Sequence, residues 1–435
     1  MADIIRKIKG TEDIMPKDSY KWQFLEDLMR TQAESYGFKE VRTPVFEKTS
    51  LFSRGVGETT DVVQKEMYTF STKGDESITL RPEGTAGAVR AFLEHNVQNE
   101  GLPSKQYYLT TCYRYEKPQA GRQREFHQFG IEVFGTQNPC ADAEVICLIK
   151  GIFDILGLEN IRLEINSIGC PHCRAEFHKA LKAYFENYKD KLCETCLSRL
   201  DRNPMRIIDC KSPICSEIAK DAPKILDYLC DECKEHFEKV KSFLDTAGVE
   251  YSVNPTIVRG LDYYTKTVFE FVSDNIGAQG TVCGGGRYDG LVEELGGQKT
   301  PSLGCAMGIE RLLLLLDASG IDIPKPDTAD LYIASMGDNA QLKAFSLAEE
   351  GRKSGFAVQC DIVGRGLRPQ MKFADKIGAK FSLVLGDNEL ADDKAEVKNM
   401  ETGDKKEVTL SNFTEEFSEI MIDYETRQLA DFDLK

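Results

Sequence analysis

No stretch of this chain approaches the roughly 18 consecutive apolar residues of a membrane-spanning helix. Its longest aliphatic run is Leu312–Leu316. The opening MADIIRKIKG has no apolar block of signal-peptide length either, so the expectation is a cytoplasmic protein with no membrane partner. An excess of positive charge is also missing. The formal net charge of −16 excludes coating of nucleic acid by the surface as a whole and leaves room only for a local basic site. No segment matches GxxxxGK[ST], and the glycine-rich CGGGRYDG (283–290) lacks the spacing of a dinucleotide fingerprint. A nucleotide bound here lies on a sheet, not in a P-loop. Internal repeats and low-complexity tracts are absent as well.

Cysteine, by contrast, is plentiful: 14 residues in a chain without an export signal. Disulfides explain them poorly, leaving metal binding or burial. Eight of them form four close pairs, Cys170/Cys173, Cys193/Cys196, Cys210/Cys215 and Cys230/Cys233. Short cysteine knuckles each supply two thiolates to a tetrahedral ion, and eight ligands suit two closed structural zinc sites. Buried free thiols are the alternative. His172 and His178 read as ordinary surface histidines.

The 435 residues are too many for one ordinary core. The proline-rich PKPDT (324–328) reads as a linker between a first domain, 1–325, and a second, 328–425, with a tail at 426–435. The cysteine-rich segment 170–250 interrupts the first domain as an insertion. Trp22, Leu25, Met29 and Tyr36 recur at helical spacing and Gly37 ends the pattern. In the following stretch Val41, Thr43 and Val45 alternate as on a strand. Pro44 assigns that strand to a sheet edge or a contact between chains. SITLRPEGTAGAVRAFL (77–93) reads as strand, turn and a helix starting near Gly84. The second domain alternates short apolar strands with helices, the order of a small α/β domain.

QYYLTTCYRYE (106–116) and FHQFGIEVFG (126–135) read as a long hairpin. Period-two geometry sends Phe126, Gln128, Gly130 and Glu132 to one face, joined by Tyr108, Thr110, Cys112 and Arg114 from the partner strand. That face is either a solvated exterior or a binding surface for a flat polar ligand. RPEGTAG (81–87) adds Glu83, able to hold an ammonium group, and glycines that let a backbone approach closely. RGLDYYTKTVFEF (259–271) carries Arg259 at the head of a bulky, strand-forming run that includes Tyr263 and Tyr264. GCAMGIERLLLLL (304–316) places Arg311 in the first turns of a helix. Arginine is costly to bury without an anion, so Arg114, Arg259 and Arg311 form a set of candidate phosphate ligands.

VRTPVFE, YRYEKPQAGRQREFHQFGIEVFG and GCAMGIERLLLL resemble the three motifs of class II aminoacyl-tRNA synthetases. RGLDYYTKTVFEF and GGGRYDGLVEELGG resemble the signatures of the histidyl-tRNA synthetases of bacterial type. The likeness covers essentially the whole chain. It implies an α+β architecture: an antiparallel-sheet catalytic domain, an inserted Cys-rich helical domain and a C-terminal α/β anticodon-binding domain. It implies a ligase that activates L-histidine with ATP and Mg2+, then transfers it to tRNA(His), working as a homodimer. By the same resemblance Glu83, Gly84, Thr85 and Gln128 would hold the amino end of histidine. Glu132 and Tyr264 would bond the imidazole, with Tyr263 and Tyr288 beside them. Phe126 would stack on adenine with Arg311 on its other side, and Arg114 and Arg259 would grip the α-phosphate. Lys117, Gln119 and Arg122 would approach the tRNA acceptor end. Tyr115 departs from the family pattern, which often has histidine there. Many members lack the cysteines, so zinc would be structural.

RGLRPQMKFADKIGAK (365–380) sets Arg368, Lys372, Lys376 and Lys380 four apart, a basic stripe on one helix face for an RNA backbone. A regulatory paralogue of the catalytic fold is the rival reading. Retention of Arg114, Arg259, Arg311 and residues 328–425 speaks against it. RGLDYY together with Glu132 opposes a class II enzyme for another amino acid.

Overall fold

The computed structural model describes residues 4–57, 60, 62–326 and 329–432, which divide into two compact units at Ile323/Pro324. In the first, α1 (Pro16–Ser35) starts with Pro16 and buries Leu25, Met29 and Ala33, one residue per turn. Gly37, at φ +80°, turns the chain out of it. β1 (Lys39–Glu40) follows, then β2 (Phe46–Lys48) and α2 (Thr49–Val56). The strand expected through Val41–Val45 is therefore broken. Thr43 and Pro44 give their carbonyls instead to Arg81 Nη1, at 2.7 and 3.1 Å. Pro44 has no N–H for a ladder, and a buried guanidinium takes the place of a partner strand.

Next come β3 (Thr69–Ser71), β4 (Ser77–Leu80), α3 (Thr85–Glu94), β5 (Ser104–Tyr113), β6 (Glu125–Phe134), α4 (Pro139–Ile155) and β7 (Arg162–Ser167). The insertion is helical: α5 (Pro171–Glu186), α6 (Glu194–Arg202), α7 (Met205–Ile208), α8 (Pro213–Lys220) and α9 (Asp231–Thr246). The chain returns through β8 (Ser252–Val253), β9 (Thr265–Val272), β10 (Thr281–Arg287), α10 (Leu291–Glu294), β11 (Ser302–Gly308) and α11 (Ile309–Ala318). The eight-stranded sheet runs β1-β5-β6-β11-β10-β9-β7-β8, with the expected hairpin β5–β6 in register Tyr108↔Gly130 and Cys112↔Phe126. All its pairings are antiparallel except β1–β5 and β7–β8 at the two edges. One face packs on α1, α4, α9 and α11 through Met29, Ile149, Phe237 and Leu312, all buried.

A buried polar node links three of these elements. Arg287 at the end of β10 is fully buried and donates from Nε to both carboxylate oxygens of Asp142 on α4, at 3.0 and 2.9 Å. It also donates to the carbonyls of Thr136 and Asn138, while His236 of α9 lies 3.3 Å from Asp142. Burial opposes the Asp142 charge, but Arg287 and His236 outweigh it and hold the carboxyl below its ordinary value.

The second unit orders its strands β13-β12-β14-β15-β16: β12 (Ala329–Ser335), β13 (Val358–Cys360), β14 (Ala379–Leu385), β15 (Lys394–Asn399) and β16 (Lys405–Thr409). The first three are parallel and the last two antiparallel. α12 (Asp338–Lys353), α13 (Leu367–Lys376), α14 (Asp387–Asp392) and α15 (Phe413–Phe432) complete it. β15 and β16 escape a hydrophobicity search because only Ala395, Val397 and Val408 of the pair are buried. The expected tail is not separate, since α15 runs through position 426 to Phe432.

Candidate active site

One cavity of about 200 Å³ opens on the face of the large sheet opposite α1, α4, α9 and α11. Into it project Glu83 and Thr85 from the start of α3, Arg114 beyond β5, Phe126 and Gln128 of β6, Arg259, Tyr263 and Tyr264 before β9, and Arg311 of α11. Residues from as far apart in sequence as Glu83 and Arg311 thus meet at one cavity. The floor is shaped by missing side chains. A Cβ on Gly84 or Gly130 would come within 2.3 or 2.2 Å of the Tyr108 ring, and one on Gly284 within 2.3 Å of Arg259 Nη1. Only glycine leaves room there.

Glu83 accepts the N–H groups of Thr85 at 2.7 Å and Ala86 at 2.9 Å, which fixes its carboxylate at the N-terminus of α3. Burial nevertheless pushes its pKa up. Glu132 is buried beneath the cavity and accepts from Tyr108 at 3.0 Å and from Tyr288. Burial raises its carboxyl to about 8 against those two donors. The phenols touching Glu132 are therefore Tyr288 and Tyr108. Tyr264, expected to share the imidazole with Glu132, lies against Tyr263 at 4.7 Å and under Arg259 at 5.5 Å. Tyr108 had been placed on this face with no role; its partnership with Glu132 depends on the register β5 takes against β6.

Arg259 pairs with Glu270 of β9, and Thr281 supplies that carboxylate a second bond at 2.9 Å. Its Nε is buried with no acceptor among the described residues. Arg114 donates to Pro82 O at 2.8 Å and lies over the Phe126 ring at 5.2 Å. Arg311 is anchored by Thr281 O at 2.7 Å and Gly121 O at 3.2 Å. Burial, then the nearby Arg122 and Arg114, lower its pKa. Arg122, expected on an outer loop, lines the cavity and pairs with Glu116 at 3.0 Å, because Gln119 and Arg122 close a tight turn that folds the loop back. Lys117 and Gln119 are exposed and do not line it. Four guanidinium groups, those of Arg114, Arg122, Arg259 and Arg311, thus converge on one cavity. Such a site suits a polyphosphate.

All fourteen cysteines of the chain are free thiols, and eight of them lie in the insertion. Cys170, Cys173, Cys230 and Cys233 gather in one quartet and Cys193, Cys196, Cys210 and Cys215 in another, each with its sulfurs within 4.8 Å of one another. The Sγ–Sγ separations of 3.6 Å (Cys170–Cys173) and 3.8 Å (Cys193–Cys210) match the roughly 3.8 Å edge of a tetrahedron with 2.3 Å zinc–sulfur bonds. Sequence spacing had left the pairing open; the helix packing decides it. His172 is exposed as expected, but His178 is half-buried.

Residues 68–319 match the tRNA synthetase class II core domain (G, H, P, S and T), and residues 330–420 match an anticodon binding domain. The chain is 54% identical over 407 residues to histidine–tRNA ligase of Clostridium perfringens, covering 93% of this chain and 97% of the relative. The chain belongs to the histidyl-tRNA synthetase family. Its likeness to the histidine–tRNA ligase of Acetivibrio thermocellus is 55% over 402 residues, covering 92% and 96% of the two chains. The crystal structure of apo Staphylococcus aureus histidyl-tRNA synthetase superposes with a TM-score of 0.82 at 42% identity, covering 95% of this chain and all of that one. The expected α+β class, with a class II core and an anticodon-binding unit, is thus the fold of this synthetase-family chain.

Proposed function

We propose that the chain activates L-histidine with ATP to histidyl-adenylate and pyrophosphate, then transfers the histidyl group to the 3′ end of tRNA(His). The observation that carries this reading is a cavity lined by Arg114, Arg259, Arg311 and Tyr108, with Glu132 buried beneath it and bonded by Tyr108 and Tyr288. The neutral imidazole has one donor and one acceptor nitrogen. Glu132 takes the donor and a phenol serves the acceptor, so a side chain lacking either leaves a buried group unpaired. Glu83, Thr85 and Gln128 hold the α-amino end. The carboxylate oxygen of histidine then attacks the α-phosphorus of ATP, forming the P–O bond of the adenylate as the bond to pyrophosphate breaks. Arg259 and Arg114 neutralise the charge that gathers on the α-phosphate oxygens. Phe126 takes the adenine, with Arg311 opposite, and ATP arrives as its Mg2+ complex. Such a reaction needs positioning and charge more than proton transfer.

The direct test is ATP–pyrophosphate exchange with each of the twenty amino acids in the absence of tRNA. Exchange with histidine alone is expected. Exchange with a different amino acid would move the specificity, and none from folded protein would favour a regulatory paralogue.

The second unit would meet the tRNA. Arg368, Lys372 and Lys376 stand exposed on α13, but Lys380 does not extend their stripe. It lies in β14, pairing with Asp330 at 3.0 Å. Gly378, at φ +66°, ends the helix before it. Replacing Lys372 and Lys376 together by alanine is expected to weaken tRNA binding and flatten its salt dependence by about two phosphate contacts. Tetrahedral thiolate geometry supports zinc in both quartets. The exposed Val45 and Phe46 beside edge strand β1 support a homodimer through this segment. No helix among the described residues is long and apolar enough to cross a membrane, and a cytoplasmic place of work fits the substrates.

A further inference from the structure

The insertion leaves the large sheet at Ser167 and re-enters it at Ser252. At its entry the ladder continues past β7: Ile168 N–H donates to Lys266 O at 2.8 Å, and Lys266 N–H to Gly169 O at 2.9 Å. The next residue is Cys170. Together with Cys173 it meets Cys230 and Cys233 from the start of α9, and Cys230 N–H points at Cys173 Sγ, 3.1 Å away. Two side chains reach from this quartet back to the sheet. Arg174, adjacent to Cys173, donates from Nη1 to Tyr264 O at 3.1 Å. Glu232, between Cys230 and Cys233, accepts from Lys266 Nζ at 2.8 Å. Lys266 has φ +48°, a left-handed backbone that a lysine adopts only where its surroundings impose it.

The second quartet makes matching contacts further up the same segment. Between Cys196 and Cys210 the chain carries Asn203 and Arg206. Asn203 Nδ2 donates to Asp262 Oδ1 at 3.1 Å, and Arg206 Nη2 to Gly260 O at 2.6 Å. Four contacts, two from the neighbourhood of each quartet, therefore hold residues 260–266. Within or beside that stretch lie Arg259, Tyr263 and Tyr264, which line the cavity.

We propose that the two four-cysteine metal sites are positioning anchors for the Gly260–Lys266 segment, so that metal occupancy sets the geometry of histidine activation as well as the fold of the insertion. This rests on reading the quartets as zinc sites. Each metal ties together chain segments of the insertion distant in sequence, and Arg174, Glu232, Asn203 and Arg206 are braced by those ties. Loosening them lets the pocket segment shift, and a displacement of about 1 Å in a reacting group costs about 10²-fold in rate. If the metals merely folded a module that touches tRNA, activation without tRNA would be indifferent to them.

The test combines metal analysis of the full chain with tRNA-free ATP–pyrophosphate exchange. One zinc per quartet is expected in the parent and in Arg174→Ala, which keeps every cysteine, whereas Cys230→Ser should lose the zinc of the first quartet. Both variants are expected to raise KM for histidine and to lower kcat, each by about ten-fold or more, the usual scale for loss of a metal site's supporting shell. Arg174→Lys should recover part of the loss. Parent-like KM in Arg174→Ala and in folded, zinc-depleted Cys230→Ser would overturn the anchoring role while leaving the zinc reading intact. Absence of zinc from the parent, with full exchange activity, would overturn both.

Discussion

Replacing Arg259 with alanine is expected to cut ATP–pyrophosphate exchange with histidine by about 10²–10³-fold, the loss seen when one preorganised group facing developing charge is removed. The loss should appear mainly in kcat, because the interaction strengthens as charge gathers on the phosphate being transferred. The fold should survive. Glu270 retains its bond from Thr281. The Nε of Arg259 has no acceptor among the described residues to lose. Exchange kinetics together with thermal unfolding decide the matter. A folded variant exchanging at the parental rate would remove Arg259 from the chemistry.

Glu132→Gln is expected to weaken histidine use and to strengthen the empty protein at high pH. Leaving a buried imidazole nitrogen without its hydrogen-bond partner costs about 1–3 kcal/mol, so KM for histidine should rise by about 10–100-fold. The stability effect follows from burial. The Glu132 carboxyl is raised to about 8 in the fold, whereas an unfolded glutamate ionises near about 4.3. Between those values the unfolded chain has released its proton and the folded chain still holds it. Stability from this group is therefore complete below about 4.3 and is lost as pH rises through about 8. Glutamine carries no such dependence. The melting temperature of the variant should gain on the parent as pH climbs from about 5 to about 9, measured without histidine. Parallel profiles would mean that Glu132 ionises as an ordinary carboxyl. Burial pushes the neighbouring Glu83 carboxyl the same way, so a cationic amino group beside it would favour its ionised form.

Much of the site was legible because its residues stand on elements with strong local signals. The alternation in FHQFGIEVFG put Phe126, Gln128 and Glu132 on one face, opposite the core residues Phe129, Ile131 and Val133. Glu83 was readable from a strand-to-helix turn. The run RGLDYYTKTVFEF was read less well, since its β-prone tyrosines precede the strand, which begins at Thr265. There the Lys266 backbone and the contacts from the insertion override propensity.

Other features depended on partners remote in the chain. Tyr108 became a ligand of Glu132 only through hairpin register, and Arg122 entered the cavity only because its loop folds back. Arg287 gave no local sign of burial; its partner Asp142 lies 145 residues away. Lys380 kept its four-residue spacing but lost its helix, since spacing records a period and cannot record where Gly378 ends it.

By itself, then, the sequence set which residues share a strand face and how many cysteines could bind metal, because these are properties of residue type and short-range period, and it carried the class of chemistry through its resemblance to a family. The tertiary structure alone decided which cysteines share a site, which phenols meet the buried carboxylate and what braces the segment behind Arg259. Those outcomes depend on contacts across long loops, where the burial of distant faces, and not local preference, sets the geometry.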